Sequence, residues 1–136
     1  MNSPVADTPL ITVELDEIEI DVCPVSGGIW LDQGELELLF DDPHAATAML
    51  NEAQAVAGAA DRKLSCPVSG QAMTAYRLGE NPPVVVDCSP YGIWFDKGEL
   101  DTILKSAGAS KRVEHLRAFL HSFFRHEQKE QANHAE

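Results

Sequence analysis

The sequence predicts an α+β fold: two pseudo-symmetric β-hairpin modules, each followed by a short helix, with a connecting helix between them and an amphipathic helix near the C-terminal end. Three observations lead there. One nonapeptide occurs twice, as Gly28-Ile29-Trp30-Leu31-Asp32-Gln33-Gly34-Glu35-Leu36 and as Gly92-Ile93-Trp94-Phe95-Asp96-Lys97-Gly98-Glu99-Leu100. A match that long at fixed internal spacing is duplication, not chance. Upstream of each copy apolar residues alternate as in half-buried strands, and between and after the copies they recur at helical spacing.

The first module occupies residues 1–41. Ile11, Val13 and Leu15 on one limb and Ile18, Ile20 and Val22 on the other flank Asp16-Glu17, which reads as a hairpin with one buried face. Thr12, Glu14, Glu19 and Asp21 take the solvated face. Asp32 and Asp96 each stand three residues before a glutamate, Glu35 and Glu99, and each opens a short apolar run. That spacing predicts a capping box, with Asp as N-cap and Glu at N3. Capping accounts for both carboxylate pairs without general acid–base catalysis. Trp30 and Trp94 are placed to cover the small core of each module.

Asp42-Pro43 predicts a helix start, and Ala46, Met49, Leu50, Ala53, Val56 and Ala57 carry the periodicity to Gly58, giving a connecting helix within 42–61. The second module spans 62–106. Its hairpin runs from Met73 to Asp87 around the turn Gly79-Glu80-Asn81-Pro82-Pro83, with the β-branched run Val84-Val85-Val86 on the returning limb. Ser110 is an N-cap for a last helix over 110–126, whose Val113, Leu116, Phe119, Leu120, Phe123 and Phe124 form one broad apolar stripe. Residues 127–136 lose their apolar content and are expected to fray. The stripe is expected to dock on the chain's own modules or to form a dimer seam, ahead of insertion into a partner's groove. Leu116, Leu120, Phe123 and Phe124 are therefore the candidate interaction residues.

Short turns precede each nonapeptide: Cys23-Pro24-Val25-Ser26 before the first and Cys88-Ser89-Pro90-Tyr91 before the second. Further upstream, Ser3-Pro4-Val5-Ala6 corresponds to Cys66-Pro67-Val68-Ser69. With these features the chain resembles the bacterial zinc-finger family of the transcription factor IIB type, in two tandem degenerate copies, roughly Asn2 to Phe40 and Leu64 to Lys105. The family pattern is two Cys-Pro-x-Cys knuckles around a hairpin, followed by Gly-Ile-Trp-Leu-Asp-x-Gly-Glu-Leu. The resemblance implies that each module is zinc-ribbon-like. It places the four ligand positions on Ser3, Ala6, Cys23 and Ser26 in the first copy and on Cys66, Ser69, Cys88 and Tyr91 in the second.

Structural zinc sites are closed shells of four Cys or His ligands. Ala6 has no donor atom, a serine hydroxyl stays protonated near neutral pH, and a phenol titrates near pH ~10. No metal site is therefore expected. If zinc binds, Cys66 and Cys88 are the ligands, with His115 or His121 borrowed from the last helix. A Cys66–Cys88 disulfide is the other use of these thiols, but three cysteines and no secretory signal favour reduced, buried thiols. A module of about 40 residues rarely holds itself together without metal, so the two copies are expected to pack on each other.

The hydrophobic fraction of 44% fits a globular chain, and 22 acidic against 10 basic residues leave a formal net charge of -12. That charge repels phosphate backbones and disfavours direct nucleic-acid binding. No stretch reaches the roughly 18 apolar residues of a membrane span, and a cytoplasmic location is expected. No histidine at a readable spacing activates a cysteine, so an enzyme is not expected. The predicted function is a protein-interaction or assembly adaptor. The alternatives are a zinc-binding protein using Cys66 and Cys88, or a transcription-associated regulator acting through protein contacts.

Overall fold

In the computed structural model, residues 1–40, 42–56, 63–80, 82–106 and 114–122 are described. Ile11–Leu15 (β1) and Ile18–Val22 (β2) form the hairpin that the alternation predicts, with Ile18, Ile20 and Val22 buried. Its turn puts two non-glycine residues in the left-handed region, Asp16 at φ 52° and Glu17 at φ 68°. This is the geometry that a two-residue hairpin loop requires. Ile29–Asp32 (β3) pairs back on β2, and Glu35–Leu39 (α1) and Pro43–Asn51 (α2) follow. Asp42 caps α2 as the sequence indicates, its Oδ1 accepting from the His44 N–H at 2.9 Å with Pro43 in the first turn.

The connecting helix is shorter than its periodicity predicts. It stops at Asn51, and Gln54–Ala55 (β4) instead pairs with Arg77 and Tyr76. Ala55 and Gln54 fit a helix by propensity, but an open sheet edge next to them offers backbone partners that a solvent-exposed last turn lacks. The rest of the predicted helix, up to residue 61, lies outside the described residues apart from Val56, whose N–H donates to the Ala75 carbonyl at 3.0 Å.

Thr74–Leu78 (β5) and Val84–Ser89 (β6) form the second hairpin, Gly92–Phe95 (β7) pairs on β6, and Glu99–Ser106 (α3) follows. Residues 114–122 are helical (α4). Ser110, Phe123 and Phe124 of the predicted last helix lie outside the described residues. No described helix is long and apolar enough to cross a membrane.

All the strands join one antiparallel sheet of seven in the order β1-β2-β3-β7-β6-β5-β4. Its centre is the pairing of the two nonapeptides, Ile29↔Phe95, Trp30↔Trp94, Leu31↔Ile93 and Asp32↔Gly92. Because side chains alternate along a strand, β3 and β7 at the centre feed two cores. On the helical face Ile20, Val22, Leu31, Val86 and Phe95 meet Leu36 and Leu39 of α1, Leu100 and Leu104 of α3, and Leu116 and Leu120 of α4. On the other face Trp30 and Trp94 cluster with Cys23, Leu64, Cys66 and Met73, and Ala6 and Leu10 pack against them.

Candidate functional site

The second, smaller core is where the four short turns converge. Each turn holds the side chain of its first residue with a backbone N–H. Ser26 N donates to Cys23 Sγ at 3.4 Å and Ser69 N to Cys66 Sγ at 3.5 Å. Val5 N donates to Ser3 Oγ at 3.2 Å and Tyr91 N to Ser89 Oγ at 3.1 Å. The turns also share their backbone frame. Ser3 N to the Thr8 carbonyl (2.8 Å) repeats as Cys66 N to Gln71 (2.7 Å), and Leu10 N to Met1 (2.9 Å) repeats as Met73 N to Leu64 (2.8 Å).

This frame corrects the register expected of the turn before the second nonapeptide. In the first copy Asp21 is opposite Trp30 and Cys23 follows two residues later; in the second, Asp87 is opposite Trp94 and the residue two later is Ser89. Cys88 therefore stands where the first copy has Val22. It faces the helical core with Val84 and Val86, and burial, followed by the Asp87 charge, pushes its thiol up to about 12. Cys66 points to the opposite face, where its Sγ lies 3.2 Å from Ser89 Oγ. Cys66 and Cys88 thus do not form a ligand pair, and all three cysteines are free thiols. Tyr91 is half exposed at its turn tip rather than directed inward. The signal that finds Ser89 is in the sequence: Ser89-Pro90 matches Ser3-Pro4, Cys23-Pro24 and Cys66-Pro67.

Two thiols each face a hydroxyl, Cys23 with Ser3 and Cys66 with Ser89. Burial pushes the Cys23 thiol up, but the hydroxyls of Ser26 and Ser3 and the backbone N–H groups of Ser26 and Val25 outweigh it and hold the thiol below its usual value. For Cys66 burial is likewise overcome by the hydroxyls of Ser69 and Ser89 and the N–H groups of Ser69 and Val68. Zinc requires four good donors. One thiol and weak neutral hydroxyls do not supply them, so the residues present do not fit zinc. His115 hydrogen-bonds Asp16 at 3.1 Å, and His121 is exposed on α4. Among the described residues no three His, Cys, Asp or Glu side chains stand together to hold a metal.

Two tryptophans complete this core. Trp30 and Trp94 are fully buried, and each indole lies against a glycine of the other nonapeptide. A Cβ built on Gly28 would sit 2.2 Å from Trp94 Cζ2, and one on Gly92 would sit 2.7 Å from Trp30 Cζ2. The indole N–H groups are held by Asp32 Oδ1 at 2.8 Å and Asp96 Oδ1 at 3.1 Å. This changes the expected capping box. The N-cap of α1 is Gly34 at φ 92°, with no side-chain cap bond, because the Asp32 carboxylate is turned to the indole. In α1 only the reach-back half of the box is kept, Glu35 Oε1 accepting from Asp32 N at 2.8 Å; Glu99 Oε1 likewise accepts from Asp96 N at 2.7 Å.

Residues 4–42 match the family described as transcription factor zinc-finger, the zinc ribbon of the transcription factor IIB type. The match runs through the Cys23 turn, β3 and α1, and stops at the cap of α2. No curated protein and no solved structure matches the chain significantly. Residues 4–42 are thus similar to the zinc ribbon, with Cys23 the one cysteine among them.

Two carboxylates beside this scaffold are perturbed. Asp21 is buried and accepts from Thr12 Oγ1 at 2.5 Å; burial raises it more than that bond lowers it. Burial and the neighbouring Asp32 raise Glu35 to about 7 despite the bond from Asp32 N. The candidate interaction residues Leu116 and Leu120 are buried, at 1% and 7% exposure, in the helical core of their own chain. Their helix is further tied by Arg117 Nε to Asp101 Oδ1 at 2.7 Å. A groove of about 760 Å³ runs beside that tie, lined by Ile29, Leu100 and Leu120 and none of the cysteines.

Proposed function

We propose that the chain is a non-catalytic protein-interaction or assembly module made of two tandem, pseudo-symmetric zinc-ribbon-like halves that have exchanged metal for a shared apolar core. One observation carries the reading. The two tryptophans meet at the centre of one sheet, each against the other half's glycine, where independent ribbons would each need a metal. A module held in this way presents rigid turns and sheet edges without depending on zinc supply. The net charge of -12 points to protein partners and away from direct nucleic-acid contact. The family match favours a second reading, a transcription-associated regulator that acts through protein contacts.

Native mass spectrometry of protein purified without added metal, compared with the denatured mass, tests the proposal. A metal-free folded chain is expected, and adding zinc should leave its melting temperature unchanged. One zinc per chain, lost when Cys66 is replaced by Ser, would establish a metal-binding protein instead.

A further inference from the structure

We infer that the outer edge of β1 is a docking strand for an extended segment of a protein partner in which lysine or arginine alternates with apolar residues. β1 is the outermost strand of the sheet and pairs, among the described residues, only with β2. Residues that close a two-residue hairpin form a hydrogen-bonded pair, and such pairs alternate along the ladder. Leu15, Val13 and Ile11 therefore bond to β2, and the N–H and C=O groups of Thr12 and Glu14 point outward. The opposite edge differs: β4 is only two residues long. Natural edges are blunted by shortness, lysine, proline or a bulge. Ile11-Thr12-Val13-Glu14-Leu15 is a five-residue strand with no lysine or proline, in unbroken register with β2.

Charge identifies the occupant. Residues 1–61 contain 13 Asp and Glu and no Lys or Arg, whereas residues 62–136 contain 9 acidic and 10 basic residues. Glu14 stands directly opposite Glu19, a like-charge cross-strand pair that destabilises the hairpin until a cation comes beside it. A second copy docking β1 to β1 would bring the two acidic halves together, so a basic partner is favoured. The strand's other face offers Ile11, 44% exposed, with Val13 and Leu15 beside it, which sets the apolar positions of the incoming segment. Main-chain pairing then supplies affinity, and the alternating side chains supply selectivity.

The inference rests on the interaction-module reading, but its test is separate from the metal measurement: a metal-free protein that fails below loses only the docking strand. The probe is a capped hexapeptide of alternating lysine and valine, titrated into the full-length ¹⁵N-labelled chain. Shifts and slowed amide exchange are expected at Thr12 and Glu14, with weaker binding as salt rises. A glutamate–valine hexapeptide should leave the spectrum unchanged. Glu14→Pro removes an outward N–H without touching the β2 ladder, and should weaken binding about tenfold with the circular dichroism preserved. Should Glu14→Pro fail to fold, the E14K/E19K variant keeps every backbone donor and is expected to lose binding by charge alone. Shifts confined to other strands, undiminished binding by both variants, or a concentration-dependent dimer that Glu14→Pro dissolves would each overturn the inference.

Discussion

Replacing Gly28 with alanine should break the contact on which the two halves depend. The new Cβ would lie 2.2 Å from Trp94 Cζ2 and 2.6 Å from Cη2. Carbon atoms pack at about 3.5–4.0 Å, so the indole has to retreat by roughly 1.5 Å. It has nowhere to go, because Trp94 is fully buried, hydrogen-bonded to Asp96 and opposite Trp30. Overpacking typically costs about 1–3 kcal/mol, and an indole driven out of a core costs about 3–5 kcal/mol. A loss of about 3 kcal/mol is therefore expected for Gly28→Ala, read by urea denaturation followed by far-ultraviolet circular dichroism. Trp94→Leu removes the clashing ring, so the double variant should be about 1–2 kcal/mol more stable than additivity gives. Gly92→Ala behaves differently, because its Cβ would also lie 2.2 Å from the Leu31 carbonyl oxygen. Trp30→Leu should not rescue it. A Gly28→Ala protein within about 0.5 kcal/mol of the parent, or additive with Trp94→Leu, would refute the interlock.

Three further outcomes are expected. Ser3→Cys, Ala6→Cys and Ser26→Cys together with the native Cys23 should restore four-coordinate zinc in the first half, seen as one zinc per chain and a chelator-sensitive melting temperature; no metal uptake would mean that the turns have lost ligand spacing. Glu35 is raised from 4.5 to about 7, so the folded state holds its proton more tightly than the unfolded state does. Its contribution is therefore full below about pH 4.5 and lost as pH rises to about 7, and solvent screening limits it to about 1 kcal/mol. Glu35→Gln should flatten that part of the stability curve, and an unchanged slope would count against the assignment. Leu116→Ala, at a buried position, should cost about 2–5 kcal/mol, whereas Arg117→Ala on the partly exposed tie to Asp101 should cost less than about 1 kcal/mol. Equal effects would mean that α4 is held by its charges and not by the core.

The hairpins were legible because their signal is local. Alternation from Ile11 to Val22 fixes both strands, although Asp21 on the expected solvated face is buried and Ile11 on the other is exposed, and Asp42-Pro43 fixes a helix start through its own side chain and ring. The end of that helix was not legible, since β4 forms only because β5 lies beside it. The central β3–β7 pairing is likewise non-local: the nonapeptides show duplication, but nothing in them specifies that Trp30 faces Trp94. Asp32 was misplaced as a cap for a related reason. The spacing to Glu35 is that of a capping box, yet a buried indole N–H needs an acceptor more than a solvated helix start needs one. At Ser89 the cysteine one residue earlier masks the true turn start, which the following proline marks in all four turns.

The placement of β3 and β7 at the middle of the sheet also matters while the chain is being made. Ile29 leaves the ribosome roughly 60 residues before Phe95, an interval of several seconds at ~5–20 residues per second. Throughout that interval the nascent N-terminal half exposes a strand edge flanked by Ile29, Trp30 and Leu31 that is built to receive a near-identical nonapeptide. Another nascent copy on the same messenger carries such a nonapeptide, and β3 pairing with its counterpart would lock two unfinished chains together. Residues 1–61 carry no lysine or arginine and 13 acidic side chains. Repulsion between two such acidic segments opposes that mispairing, whereas the matching strand of the same chain comes from a half with balanced charge.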